Sequence, residues 1–199
     1  MDALRVLGAF YPEDTPLRRK LLEHSRLVRE EALAIAESAA CREMGLDLDV
    51  VSAGAWLHDV GVCRCHAPDI LCTGTEPYIR HGIVGAGMLR AYGAEHGLDM
   101  EPFARICERH TGSGLSAGEI LSRGLPLPPR DFLPVTLEEK LVCLADKFHS
   151  KSGDGRRKPL EEVRRGIARF GAAPAARLEA LLELFGMGSG AGPDVGRTT

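Results

Sequence analysis

The 199-residue chain has no apolar run near the roughly 20 residues that a membrane-spanning helix needs. Its first residues, MDALRVLGAF, show no basic segment followed by a long apolar stretch, so no export signal or anchor is expected and a cytoplasmic protein is. An excess of positive charge is also lacking. With a net charge of −3 there is no global field to draw nucleic acid or an anionic membrane, and any polyanionic partner is met locally. No internal repeat is visible, and no sustained apolar–polar alternation marks strands. Disulfides are a further expected absence despite the six cysteines. Cys41, Cys107 and Cys143 sit inside helical patterns, where a thiol behaves as a small hydrophobe, so reduced thiols are expected.

What is present is helical spacing of apolar residues along nearly the whole chain, which predicts an all-α protein. Thr15 followed by Pro16 reads as a helix start, opening a helix to Met44 that Gly45 ends. A second helix is predicted from Asp49 to Asp59, stopping at Gly61. A long loop, Cys63 to Tyr78, precedes helices from Ile79 to Tyr92 and from Met100 to His110. Ser116 with Glu119, and Thr136 with Glu139, have the spacing of capping boxes, opening a short helix and then one of about 14 residues. Segments Pro159 to Phe170 and Pro174 to Phe185 form a helical hairpin. The expected organisation is a domain over 1–152 with its core at 17–152, the hairpin within 153–186, and a tail at 187–199 with the composition of a disordered segment.

Histidines and aspartates fall on these helices in a pattern. His24 lies on the stripe of Leu17, Leu21, Val28 and Ile35; His58 follows Val51 and Ala55; His81 precedes Val84 and Met88; His110 completes Phe103, Ile106 and Cys107. Asp59 adjoins His58, and Asp146 borders the apolar sector of LEEKLVCLADKF. One histidine on an apolar face is usually a hydrogen-bonded core residue. Four of them with two aspartates, from five helices, are satisfied together more cheaply by metal, since a buried ionisable group is costly unless paired or coordinated.

In order along the chain, HSRLV, WLHDVG, RHGIVGAGML, ERHTGSGL and LEEKLVCLADKF carry His24, His58-Asp59, His81, His110 and Asp146. This series resembles the signature of the HD superfamily, helical metal-dependent phosphohydrolases, over about residues 17 to 152. The resemblance implies an HD-domain helical bundle in which His24, His58, Asp59 and Asp146 bind one metal while His81 and His110 bind a second, with Asp59 bridging. Imidazole and carboxylate ligands suit two divalent transition-metal ions, with iron placed first and manganese, cobalt, nickel or zinc as alternatives, better than magnesium. The implied substrate is a nucleotide or related small phosphate ester or anhydride, attacked by a metal-bridging hydroxide. Besides Asp59, catalytic help to the leaving group is expected from Lys147, Arg80 and Arg64, and substrate contacts from Ser150, Lys151, Thr111 and Gly112. No nucleic-acid or membrane partner is expected. Two other activities share the family. A mixed-valent di-iron oxygenase has the same six ligands, although the histidine that some of them carry just after the doublet is Val62 here. A non-catalytic signalling module generally loses ligands, and this chain keeps all six.

The remaining features read more plainly. Cys63, Cys65, His66 and Cys72 have zinc-ligand types at a spacing that is not standard for a structural site, so the loop is expected to be a lid beside the metals. His96, in a connecting loop, and His149 are read as ordinary. The proline-rich LSRGLPLPPRDFLPVT is read as a rigid connector wrapping the outside of the bundle. Arg156, Arg157, Lys158, Arg164, Arg165 and Arg169, interspersed with Glu161 and Glu162, read as a solvated helix face.

Overall fold

The long helix α2 (Pro16–Ala36) starts where the sequence places it. The Thr15 hydroxyl accepts the Arg18 N–H at 3.1 Å, and Pro16 takes the first position, where its missing N–H costs nothing. The computed structural model of the protein describes residues 1–151 and 155–188. Helix α2 stops at Ala36 rather than Met44. Residues 38–44 fold into turns that bury Cys41, with its thiol 3.8 Å from the Phe185 carbonyl, and Gly45, at φ +69°, closes those turns. Helix α1 (Ala3–Phe10) was not expected. It is capped by Asp2 and buries Ala3, Val6 and Leu7.

Helix α3 (Leu48–Leu57) begins at the Asp47 cap and ends two residues before the expected Asp59; a 3-10 turn, Val60–Arg64, follows. The loop after it contains three very short strands, β1 (Cys65–Ala67), β2 (Cys72–Thr73) and β3 (Glu76–Pro77), in the order β2-β1-β3. β1 pairs antiparallel with β2 through His66 and Thr73, and parallel with β3 through Cys65 and Glu76. Strands of two or three residues are too short to show alternation. After the 3-10 turn Tyr78–Arg80, α4 (His81–His96) runs past Tyr92, so His96 is its last residue and not a loop residue.

Helices α5 (Glu101–Arg109), α6 (Ala117–Ser122) and α7 (Leu137–Asp146) follow. Ser116 and Glu119 form the full reciprocal capping box. At α7 only half forms: Thr136 caps the Glu139 N–H, while the Glu139 carboxylate turns to the Val135 N–H and to Arg105 and Arg109, at 2.6 and 3.0 Å. Helix α7 is ten residues, shorter than expected, so Ser150 and Lys151 lie beyond its end. Helices α8 (Leu160–Ala168) and α9 (Ala172–Leu184) form the hairpin.

Two apolar clusters share α2, α3 and α5. One joins Val28, Leu141 and Phe148 to Val163, Ile167, Leu182 and Phe185 of the hairpin, so the hairpin is part of this core. The other gathers α1, α4 and the strand-bearing loop around Leu57 and Leu89. The proline-rich segment is pinned over the start of α4: Phe132 is buried and bridges Leu115 in a small cluster that Ile79 and Ile83 adjoin. Met187, assigned to the tail, packs against the core; the 152–153 boundary and residues 189–199 lie outside the described residues. All six cysteines are free thiols. Among the described residues no helix is long and apolar enough to cross a membrane.

Two glycines stand out for opposite reasons. Gly61 was read as a helix stop, but it has no left-handed φ; a Cβ there would collide with the His81 carbonyl oxygen and the Gly85 nitrogen. It is small so that the turn after His58-Asp59 can touch the first turn of α4. Gly166, inside α8, has no atom within 4 Å of a Cβ placed on it and no left-handed φ, so it forgoes about 1 kcal/mol of helix propensity relative to alanine with no packing reason in the chain. Substituting Gly61→Ala is expected to destabilise the fold by about 1–3 kcal/mol through overpacking. Denaturant unfolding measures this, and an unchanged midpoint would show that the close approach is not required.

Candidate metal centre

Five of the six expected ligands sit at helix ends. His58 caps the C-terminus of α3 and Asp59 follows it; His81 opens α4; His110 caps the C-terminus of α5; Asp146 ends α7. His24 comes from the middle of α2. The last carbonyls of a helix lack intrahelical partners and carry partial negative charge. Three helix C-termini therefore deliver both ligands and a field that favours cations.

The imidazoles share one local device. The Nδ1–H of His58, His81 and His110 donates to the carbonyl three residues earlier, of Ala55, Tyr78 and Cys107, each at 2.7 Å. A carbonyl can only accept, so this bond fixes the tautomer and turns the Nε2 lone pair inward.

Those lone pairs meet in two groups. In the first, His24 Nε2 and His58 Nε2 are 3.2 Å apart, Asp59 Oδ2 lies 3.3 and 3.2 Å from them, and Asp146 Oδ1 lies 3.1 and 3.5 Å from them. In the second, His81 Nε2 and His110 Nε2 are 3.0 Å apart, and Asp59 Oδ1 is 3.5 and 3.4 Å away. The two carboxylate oxygens of Asp59 thus face different histidine pairs. All six residues are buried, with His58 and Asp59 fully so.

This donor set fits two cations. Neither Asp59 oxygen accepts a well-formed hydrogen bond from the chain, and converging acceptors repel one another unless positive charge lies among them. The first group offers four ligand atoms and the second three, each within metal-binding reach of one another. Three protein ligands leave coordination positions free, as catalytic sites do.

The charge balance shows the same demand. Burial opposes protonation of His58, yet the charges of Asp59 and Asp146 raise it to about 9. His81 is held down at about 3 by burial, with His110 adding to the effect, and His110 is likewise lowered by burial. For Asp59, burial works upward, but the Lys151 ammonium and His58 hold the carboxyl well below the usual range; for Asp146, burial is overcome first by Lys147.

A cavity of about 580 Å³ opens beside Asp146. Lys147, expected to assist the leaving group, and Ser150 and Lys151, expected to contact substrate, line it opposite Ala67, Asp69 and Ile70 of the strand-bearing loop. Lys151 Nζ is 2.6 Å from Asp59 Oδ2. Lys147 Nζ is 2.6 Å from Asp146 Oδ2 and donates to the His110 carbonyl at 3.0 Å. Four other expected residues are not brought there. The Arg80 guanidinium is tied to Glu76 at 2.7 Å and to the Pro126 carbonyl at 2.9 Å, and Arg64 is exposed at the end of its turn. Thr111 and Gly112 lie outside the lining; the Thr111 carbonyl accepts the Gly114 N–H and the Gly112 carbonyl faces the Cys143 thiol, so the loop's polar groups serve a turn.

A family model described as HD domain matches residues 21–151. The chain belongs to the HD-domain family. This chain is 39% identical to an uncharacterised protein of Methanocaldococcus jannaschii over 128 residues, 64% of this chain and 65% of that protein. It is also 33% identical over 165 residues, 83% of this chain and 41% of the relative, to a Thermoplasma volcanium protein named tRNA (cytidine(56)-2'-O)-methyltransferase. A Picrophilus torridus protein of the same name is 33% identical over 130 residues, 65% of this chain and 31% of that one. The chain spans less than two thirds of the length of each of these curated relatives.

Several features of the cavity and its surroundings escaped the sequence. Tyr78 lines the cavity and stacks on His81 with ring centroids 4.8 Å apart. Lys158, Glu162, Gly166 and Arg169 line it from the α8 side. Their i, i+4, i+7 spacing was a signal that could have set Glu162, Gly166 and Arg169 on one face. Cys63, Cys65, His66 and Cys72 do not bring their ligand atoms into a metal-sized group; His66 points outward from β1 while Cys65 is buried. His149 is buried with Nε2 3.6 Å from Glu31, and exposed His96 stacks on Tyr92.

The neutral histidines set an acid limit for metal-stripped protein. Folded-state values below the unfolded 6.5 for His81 and His110 mean that the unfolded chain takes up protons first, so stability falls as pH drops from 6.5 toward 3. His58, raised, has its contribution in full below 6.5 and loses it as pH rises from there through about 9, so between pH 7 and pH 5 it offsets a smaller part of this loss. Chelator-treated protein is expected to be about 1–2 kcal/mol less stable at pH 5 than at pH 7 by denaturant unfolding. His81→Ala/His110→Ala should lose most of that difference; a wild type indifferent to this pH step would contradict the assignment.

Proposed function

We propose that this HD-domain protein is a dinuclear metal-dependent phosphohydrolase that cleaves a phosphate ester or anhydride of a nucleotide or related small molecule. The observation that carries this reading is Asp59, whose two oxygens face two separate pairs of inward-turned imidazoles. Two divalent transition-metal ions held there, iron foremost, would supply hydroxide at neutral pH and would neutralise charge on the attacked phosphoryl group. The residues of the chain do the rest. His24, His58, Asp59 and Asp146 hold one ion; Asp59, His81 and His110 hold the other. Lys151 and Lys147, in the cavity wall, offer ammonium groups to phosphoryl and leaving-group oxygens, and Lys147 also ties the end of α7 to that of α5. Ser150 adds a hydroxyl to the same wall. The strand-bearing loop covers the opposite side and limits water.

An oxygenase would use the same six ligands. The hydrolytic reading is favoured by the cationic lining, since lysines beside the metals serve a substrate with anionic oxygens. The methyltransferase name of two relatives belongs to proteins of which this chain matches less than half, and it adds only that a nucleotide-bearing substrate is compatible.

Elemental analysis of wild type beside His81→Ala/His110→Ala, with nucleotides assayed on the same samples, tests the reading. About two metals per chain are expected in the wild type and about one in the double variant, with metal-dependent phosphate or nucleotide release lost in the variant. Two irons with oxygen consumption and no phosphoryl chemistry would establish the oxygenase instead, and absence of both metal and activity would refute both.

A further inference from the structure

The cavity beside the metal ligands does not end at α8. A second groove, of about 650 Å³, lies on the outer side of that helix, and the two share Glu162, Gly166 and Arg169 in their linings. Gly166 is common to both linings and presents no side chain to either. It has neither the left-handed φ nor the close neighbour that would call for glycine. Gly8 and Gly87 are also helical and uncrowded, but neither lines either space. The absent side chain therefore keeps open a passage from one space to the other.

Charge runs along the same path. Most arginines of this region are neutralised: Arg164 by Glu161 and Glu179, Arg156 by Glu162, and Arg157 by Glu31, at 2.7 to 3.0 Å. Lys158 in the cavity, Arg169 on the rim and Arg165 in the outer groove have no carboxylate partner among the described residues. Lys158 is partly buried, and desolvation together with Lys147 and Lys151 lowers its pKa, as for a cation still short of an anion. Of the carboxylates lining the cavity, Asp146 is a metal ligand, Glu162 is paired with Arg156, and Asp69 stands exposed on the facing loop.

We infer that the substrate is an extended one that carries a second phosphate group, threaded over Gly166 so that its distal phosphate meets Arg165 and Arg169 while the group to be cleaved lies at the metal centre. This rests on the phosphohydrolase reading for the position of the cleaved group. The second phosphate belongs either to a linear polyphosphate or to a short oligonucleotide, and both present anionic oxygens to the same arginines.

The test is calorimetric titration of the manganese-loaded full chain with AMP, with ATP and with 5′-phosphorylated diadenylate. At least one of the two longer ligands is expected to bind about tenfold tighter than AMP. Arg165→Ala/Arg169→Ala should remove most of that advantage and leave AMP affinity unchanged. Gly166→Leu should do the same by blocking the passage, and because leucine is the better helix former its thermal midpoint should not fall. ATP showing the advantage identifies a polyphosphate, and the diadenylate an oligonucleotide. Equal affinity for all three ligands overturns the inference, as does a loss in the variants that is the same for AMP and the longer ligands. With product release assayed on the same samples, a wild type that hydrolyses nothing yet shows the advantage removes the phosphohydrolase reading and leaves the extended binding track standing.

Discussion

The structure depends on keeping the Asp59 carboxylate charged in a fully buried position. A carboxylate there is tolerable only if positive charge surrounds it, because removing an isolated ion from water costs several kcal/mol or more. The fold meets part of that need. Lys151 reaches one oxygen at 2.6 Å, the two pairs of imidazoles turn their nitrogens toward the two oxygens as donors for cations, and three helix C-termini, with their partial negative charge, add to the demand for cations there. The site and the fold are in this sense one design: three of the helices that bring its residues together, α2, α3 and α5, are also those that both apolar clusters share.

Support for the centre comes from residues that never touch it. Gly61 and Gly85 let the turn after the doublet lie directly on α4, which sets the Asp59–His81 distance. Tyr11, just past α1, donates to the Val60 carbonyl at 2.9 Å and accepts the Cys63 N–H at 3.1 Å, bracing the same turn from the other side. The hairpin contributes Val163 and Ile167 both to the core and to the cavity wall, so one helix serves stability and substrate space together. Such supporting contacts hold a polar site within the narrow geometry that chemistry requires.

Legibility followed chemistry. His24, His58, His81 and His110 stood out because a titratable residue on an apolar stripe demands a partner, and that demand is written in the local pattern. Helix starts were equally plain where Thr15-Pro16 or Ser116 with Glu119 supplied caps. Ends were less so: α2 stops at Ala36 because Cys41 packs against the hairpin, and no local residue announces a contact with Phe185. Glu139 left its capping role for two arginines of α5, another choice made through space. Arg80 and Arg64 show the weakness of adjacency, since being next to a ligand in the chain says nothing about the direction of a long side chain.

The sequence by itself determined the all-helical class and the series of four histidines and two aspartates on apolar helix faces, because these follow from residue identity and from periodicity within single helices. Tertiary structure decided how those ligands are shared out, with Oδ2 of Asp59 facing one histidine pair and Oδ1 the other, and which of the many basic residues line the cavity. The physical reason is range. Hydrogen bonds from an imidazole to a carbonyl three residues back are local and repeat along the chain, whereas the distances between ligands on different helices are fixed only when those helices pack.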